Sequence, residues 1–120
     1  MIHSYLFDEN VDAALIAGMR RFDPDLPVAA VGEPGNPPRG TLDPNILSWC
    51  EEWGCILVTN NRHSMPPHLR DHLAAGRHVP GIFILNPAMS YGETIEVLQL
   101  NAYATEPGEH QDQIKHLSKL

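Results

Sequence analysis

Apolar residues fall into two kinds of run along this chain, short continuous ones and longer ones of helical period, and their alternation predicts the elements. Ile2 to Phe7 is apolar apart from His3 and Ser4 and stops at Asp8, the pattern of a buried strand that ends in a polar loop. Val11, Ala14, Leu15, Met19 and Phe22 then recur at helical spacing as far as Asp23-Pro24, where proline cannot continue a helix. Pro27 to Gly32 reads as a short second strand. It runs into Glu33-Pro34-Gly35-Asn36-Pro37-Pro38-Arg39-Gly40, whose prolines and glycines exclude regular structure.

The scheme then repeats. Asp43 ahead of Pro44 predicts an N-cap followed by proline at the first helical position, and Ile46, Leu47, Cys50 and Trp53 share one face until Gly54. Cys55 to Thr59 reads as a third strand, closed by the polar turn Asn60 to Ser64, which mirrors the exit from the first. Pro66-Pro67 opens a third helix carrying Leu69, Leu73 and Ala74 and ending near Gly76, and Gly81 to Leu85 forms a fourth strand. Ser90 and Glu93 have capping-box spacing ahead of a fourth helix with Ile95, Leu98 and Ala102. Residues 113–117 fit either a fifth, edge strand or a last helical turn.

Strands separated by helices imply right-handed crossovers and a mostly parallel sheet of four or five strands, covered on both faces in a three-layer α/β/α arrangement. A chain of 120 residues suffices for one such domain and not for two independent cores, so 1–120 is read as one. Ligands of such sheets sit beyond the carboxyl ends of the strands, where strand order reverses. If the first and third strands are neighbours there, Asp8-Glu9-Asn10 and Asn60-Asn61-Arg62 face one crevice.

Composition narrows the function classes. No apolar run approaches the roughly 20 residues of a membrane span, so no membrane partner is expected. The start, Met1-Ile2-His3-Ser4, has no basic region ahead of an apolar stretch, and no secretory signal is expected. Cys50 and Cys55 form no C-x-x-C pair and read as buried free thiols of a reducing, cytoplasmic compartment. A net charge of −7 argues against non-specific adhesion to nucleic acid or an anionic membrane, because phosphate attraction scales with the basic groups offered. A local basic rim is still open to the chain through Arg62, Arg70 and Arg77.

Asp8 leaves a buried strand, which gives its carboxylate a defined position, and Asp43 at a helix start can approach it across the sheet edge. Two carboxylates about 4 Å apart repel by roughly 4 kcal/mol at an effective dielectric near 20, a repulsion that a divalent cation turns into attraction. Hard oxygen ligands of this kind suit Mg²⁺ or Mn²⁺, which keep several waters and can activate one against a phosphodiester. The plain alternative is that Asp43 only caps its helix and that Asp8-Glu9 is a polar strand exit.

Taken in order, Leu6-Phe7-Asp8-Glu9-Asn10-Val11, then Asp43-x-x-Ile46-Leu47 with Trp53-Gly54, then Ile56-Leu57-Val58-Thr59-Asn60-Asn61-Arg62, the chain resembles the PIN-like domains related to VapC-type toxins. The similarity spans most of the chain, and it lies in the ordered set rather than in any one motif. It implies a metal-dependent ribonuclease fold with acids at the carboxyl edge of the sheet. Asp8 and Asp43 would hold Mg²⁺ or Mn²⁺ with Glu9 and Asn10 in support, Asn61 would complete the catalytic set, and Asn10 would border the substrate. Arg62, by the chemistry of its guanidinium, reads equally as a phosphate contact to that substrate or as a surface charge. An RNA substrate and an antitoxin protein are the partners to expect, with a homodimer as a third form of association. The departure follows the third strand: members of this family commonly read Thr-x-Asp-x-Asp, and this chain has Thr59-Asn60-Asn61-Arg62-His63. A neutral Asn61 forfeits most of the attraction a carboxylate would have for the ion, which makes a catalytically silent binding module the second reading.

Other constellations are weaker. His68 and His72 stand at the i, i+4 spacing that can grip zinc but lack the glutamate of H-E-x-x-H, and a solvated helix face is the expectation, with His63 beside His68 at the crevice as a variant. Arg70 and Arg77 read as surface charges. Trp49 and Trp53 read as core or interface residues rather than a base-stacking platform. A phosphoryl-accepting receiver would need an aspartate at the end of the third strand, and no Gly-rich phosphate loop occurs.

Overall fold

A computed structural model describes residues 4–120; Met1, Ile2 and His3, and with them the predicted start of the first strand, lie outside the described residues. Five strands alternate with four helices: β1 (Ser4–Phe7), α1 (Ala13–Phe22), β2 (Val28–Ala30), α2 (Asp43–Trp53), β3 (Cys55–Thr59), α3 (Met65–Ala74), β4 (Ile82–Ile84), α4 (Tyr91–Ala104) and β5 (Ile114–His116). The strands form one all-parallel sheet in the order β2-β1-β3-β4-β5. The uncertain tail is therefore an edge strand. It pairs with β4 through Ile82–Ile114, Phe83–Lys115 and Ile84–His116.

The period of two along each strand sorts the core into two faces. Tyr5, Phe7, Ile56, Val58 and Phe83 point to one side and pack with Leu15, Ile16 and Met19 of α1 and Ile95, Leu98 and Ala102 of α4. Leu6, Cys55, Leu57, Ile82 and Ile84 point to the other and meet Ile46, Leu47 and Cys50 of α2 with Met65 and Leu69 of α3. This is the three-layer α/β/α arrangement. None of the described helices is long and apolar enough to cross a membrane.

The faces also fix the hand of the connections, and one of them departs from expectation. From β1 to β2 the chain steps one way with α1 on the first face. The steps from β2 to β3 and from β3 to β4 go the other way with α2 and α3 on the second face, so these three crossovers share one hand. The step to β5 continues in that direction, but α4 lies on the face of α1, so the fourth crossover has the opposite hand. Uniform right-handedness was expected. With α2 and α3 both on the second face, α1 alone would have to cover the first; α4 covers the rest of it, and the Tyr5 hydroxyl donates to the Leu98 carbonyl across that layer at 2.8 Å.

Local signals set most boundaries. Ser90 caps α4 in a complete capping box, its hydroxyl accepting from the Glu93 amide at 3.1 Å while the Glu93 carboxylate accepts from the Ser90 amide at 2.9 Å. Gly54 ends α2 in the left-handed conformation at φ 70°. Three expectations need correction. Val11 lies ahead of α1 rather than on it, the helix starting behind an Asp12 cap whose side chain accepts from the Ala14 amide, and Ile16 rather than Phe22 faces the core, Phe22 being at the last turn and 55% exposed. The N-cap of α2 is Leu42 without a side-chain bond, which puts Asp43 inside the first turn with its carboxylate free to face the sheet edge. Trp53 is 62% exposed and stacks obliquely on half-buried Trp49, with ring centroids 5.8 Å apart.

Candidate functional site

The strand order reverses between β1 and β3, since β2 lies on one side of β1 and the later strands on the other. Carbonyl groups at the ends of two adjacent parallel strands diverge into separate loops at such a point, which leaves a crevice. Here the loops begin at Asp8 and Asn60. The Asp8 amide continues the ladder by donating to the Val58 carbonyl at 3.0 Å, and the Asn60 side-chain amide donates to the Asn10 carbonyl at 3.1 Å. A cleft of about 370 Å³ is lined by Asp8, Asn10, Thr59, Asn60 and Asn61.

Asp8 is buried and held on both oxygens: Oδ2 accepts from the Thr59 hydroxyl at 2.8 Å and Oδ1 from the Glu9 amide at 2.9 Å. Thr59 is the hinge of the site, because its Oγ1 also accepts from the Asn61 amide at 3.0 Å. Asn61 in turn donates from Nδ2 to Asp43 Oδ2 at 3.2 Å, and its own Oδ1 accepts from the Ser64 amide at 3.3 Å. His68 Nε2 lies 3.5 Å from the same Asp43 oxygen. Asp8, Thr59, Asn61, Asp43 and His68 thus form one connected chain across the crevice.

The electrostatics reflect that crowding. Burial pushes the Asp43 carboxyl up from its ordinary value, the Asp8 charge pushes it further and the Glu9 charge adds to this, against the pull of His68 and of the Ser64 hydroxyl. The charge of Asp8 thus reaches Asp43 at the edge of the crevice.

The remaining expected residues divide. Glu9 turns away from the cleft, its carboxylate accepting from the Gly40 amide at 3.1 and 3.3 Å, so it anchors the proline-rich loop. Asn10 lines the cleft, whereas Arg62 is exposed on the turn after β3 and lines no part of it. His63 is exposed beside it. His68 and His72 do not converge, because His72 is buried, not solvated as expected, with Nε2 3.0 Å from Glu51 Oε1 and 3.1 Å from the His78 carbonyl. Arg77 behaves as the expected surface charge, pairing with Glu51 at 3.0 Å. Cys50 and Cys55 are free and buried, and burial pushes both thiols up, which removes them as nucleophiles.

Of the residues gathered here, Asp8 and Asp43 are the ones that offer carboxylate donors to a hard cation. Asp8 and Asp43 supply carboxylate oxygens with lone pairs left over, and Mg²⁺ is commonly bound by one or two carboxylates with waters and phosphate oxygens completing the shell. Among the described residues no three His, Cys, Asp or Glu side chains gather closely enough to hold an ion by themselves. Thr59 has no site role in the sequence pattern, although a single polar residue closing an otherwise apolar strand is its signal.

The fold is that of a doubly wound parallel α/β protein, with the Asp8 carboxylate in the crevice at its switch point and Asp43 linked to it through Thr59 and Asn61. Comparison with protein-family models, with curated proteins and with solved structures finds no match to this chain.

Proposed function

We propose that the chain is a divalent-cation-dependent ribonuclease of the PIN-like kind, the toxin half of a toxin–antitoxin pair, acting at the β1–β3 crevice. The observation that carries this reading is the hydrogen-bonded chain that runs from Asp8 in the crevice through Thr59 and Asn61 to Asp43, which joins acids from two separate elements at one sheet edge. Mg²⁺ or Mn²⁺, when bound by Asp8 and Asp43, supplies Lewis-acid polarisation of a phosphoryl oxygen and an activated water. The chain's own part is to position. Thr59 and the Glu9 amide fix the Asp8 carboxylate, Asn61 orients Asp43, and Asn10 and Asn60 border the space where a scissile phosphate would lie. Because Asp43 takes up a proton more readily than an ordinary aspartate, cation and proton compete at its oxygens, and affinity for the cation falls as the pH falls.

Calorimetric titration with Mn²⁺, paired with an RNA-cleavage assay in Mg²⁺ and in Mn²⁺, tests the proposal. Binding and cleavage should both disappear in Asp8→Asn and in Asp43→Asn. Cleavage that persists in Asp8→Asn would remove the crevice from the reaction.

One observation favours a second reading, a non-catalytic binding module. The amide of Asn61 occupies Asp43 and the Thr59 hydroxyl occupies Asp8, so the acids are partly satisfied from within the protein. Under that reading the wild type binds no Mn²⁺, and Asn61→Asp, which replaces the amide donor with a third acid, creates binding that was not there before.

A further inference from the structure

Next to the crevice, with Asp8 lining both and Glu9 beside it in the wall, lies a cavity of about 500 Å³ between α1, the end of β2 and the loop that follows. Its other wall carries Arg20, Arg21 and Arg39. In a chain with a net charge of −7, three of the eight Lys and Arg residues therefore line one cavity.

The three have different roles. Arg20 is spent on the protein: it makes a two-pronged contact with Glu33, both bonds 2.8 Å, and donates to the Val28 carbonyl at 3.1 Å, while Glu33 also accepts from the Ala30 amide at 3.0 Å. Arg21 and Arg39 have no hydrogen-bond or ion-pair partner among the described residues. Yet Arg39 is not loosely hung. Its stem lies across Gly32, where an added Cβ would come within 3.1 Å of Cγ, and Gly32 has φ +96°. The loop bearing it is tied at both ends, by the Gly32 amide to the Pro37 carbonyl at 2.8 Å and by the Gly40 amide to Glu9.

We infer that this cavity seats a backbone phosphate of single-stranded RNA, with Arg39 and Arg21 as its ligands. Guanidinium groups match phosphate with two parallel N–H donors, and a preorganised one gives up less conformational freedom on binding. A concave seat suits one flexible strand rather than the broad face of a duplex. The strand would then pass from the arginine wall over Asp8 into the crevice. The inference rests on the ribonuclease reading for the choice of RNA as the bearer of the phosphate. The arginine geometry stands apart from it.

The test is anisotropy of a labelled short single-stranded oligoribonucleotide in excess chelator, so that no cation is involved, on wild type, Arg39→Gln, Arg21→Gln and, as a control on exposed surface charge, Arg70→Gln. Arg39→Gln and Arg21→Gln should each weaken binding roughly tenfold, the loss expected for one charged hydrogen-bonded contact. Each should also flatten the dependence of log affinity on log salt by about 0.7. Arg70→Gln should change little, and unchanged melting and Mn²⁺ titration of the arginine variants separate lost contacts from lost fold. Wild-type affinity in the two arginine variants, absence of RNA binding by the wild type, or displacement of RNA by oligoglutamate as readily as by unlabelled RNA would each overturn the inference, the last by marking the seat as one for acidic peptide. The two readings fail separately. Arginine-dependent RNA binding without Mn²⁺ binding retains the seat and ends the ribonuclease reading, whereas Mn²⁺-dependent cleavage with arginine-independent binding does the reverse.

Discussion

Thr59 closes a strand whose other four residues are apolar, and at 1% exposure its hydroxyl must find partners inside the protein. It finds two, Asp8 as acceptor and the Asn61 amide as donor. Thr59→Val keeps the shape and the strand preference but leaves a buried carboxylate oxygen and an amide short of a partner, which should cost about 1–3 kcal/mol in urea unfolding. Asp43 is the opposite case. Its carboxyl is raised in the folded state, so the folded protein binds that proton more readily than the unfolded chain, and stability falls as pH rises from the ordinary value of 3.8 through the raised one. Asp43→Asn should remove that slope and melt a few degrees higher than wild type at neutral pH without added cation. A melt at or below wild type would mean that Asp43 carries no penalty of burial and like charge. Asp8 and Asp43 were legible in the sequence as acids at element ends. Thr59 was not, because its role depends on which strand lies beside it.

At the scale of elements, the signals that worked were those in which neighbouring residues satisfy one another. The capping box at Ser90 and Glu93 is complete within four positions of the chain, so spacing alone located the start of α4. Ser90→Ala should cost about 1 kcal/mol, within a usual range of roughly 0.5–2, measured by thermal or urea unfolding. At α2 the same logic misled by one residue: Asp43-Pro44 has the sequence of cap and first helical position, but the helix begins at Asp43, and the carboxylate turns to Asn61 and His68 instead of to its own backbone. The loop from Glu33 to Gly40 has the proline and glycine content of an irregular segment and contains no helix or strand, yet it is fixed by Glu9, Glu33 and Asn36. Gly32→Ala, at φ +96° and against the Arg39 stem, should destabilise that loop by about 1 kcal/mol or more.

For the whole molecule, the far edge of the sheet depends on an ion pair distant in sequence. Asp112, in the left-handed region at φ 61°, accepts from His78 Nδ1 at 2.6 Å and from the Val79 amide at 2.9 Å, which ties the approach to β5 to the approach to β4. The hydrogen bond from His78 to Asp112, with the Asp112 charge, raises the imidazole above its usual 6.5. Burial alone would raise the Asp112 carboxyl, but the Val79 amide and His78 outweigh it and hold it below 3.8. The linkage follows: the contribution of His78 is complete below 6.5 and is lost as pH rises through its raised value, and that of Asp112 is complete above 3.8 and is lost as pH falls through its lowered value. Asp112→Asn, which tolerates the same backbone conformation, should flatten the fall in melting temperature between mildly acid and alkaline pH. A wild-type slope in that variant would assign the pH dependence to another group.

The sequence by itself determined the elements, because apolar period, proline, glycine and capping act over a few neighbouring residues. It determined the parallel α/β class too, since strands joined by helices have few other ways to bury both faces of a sheet. It also marked Asp8 as the exit from a buried strand. Tertiary structure alone decided that β1 and β3 are neighbours, that α4 lies beside α1 and reverses the last crossover, and that 113–117 pairs with β4. It decided as well that Glu9 holds a loop while Asp43 turns to Asn61, and that Arg21 and Arg39 share a cavity with Asp8. Each of these depends on what stands across the sheet or the crevice, and contacts between residues dozens of positions apart leave no period in the chain.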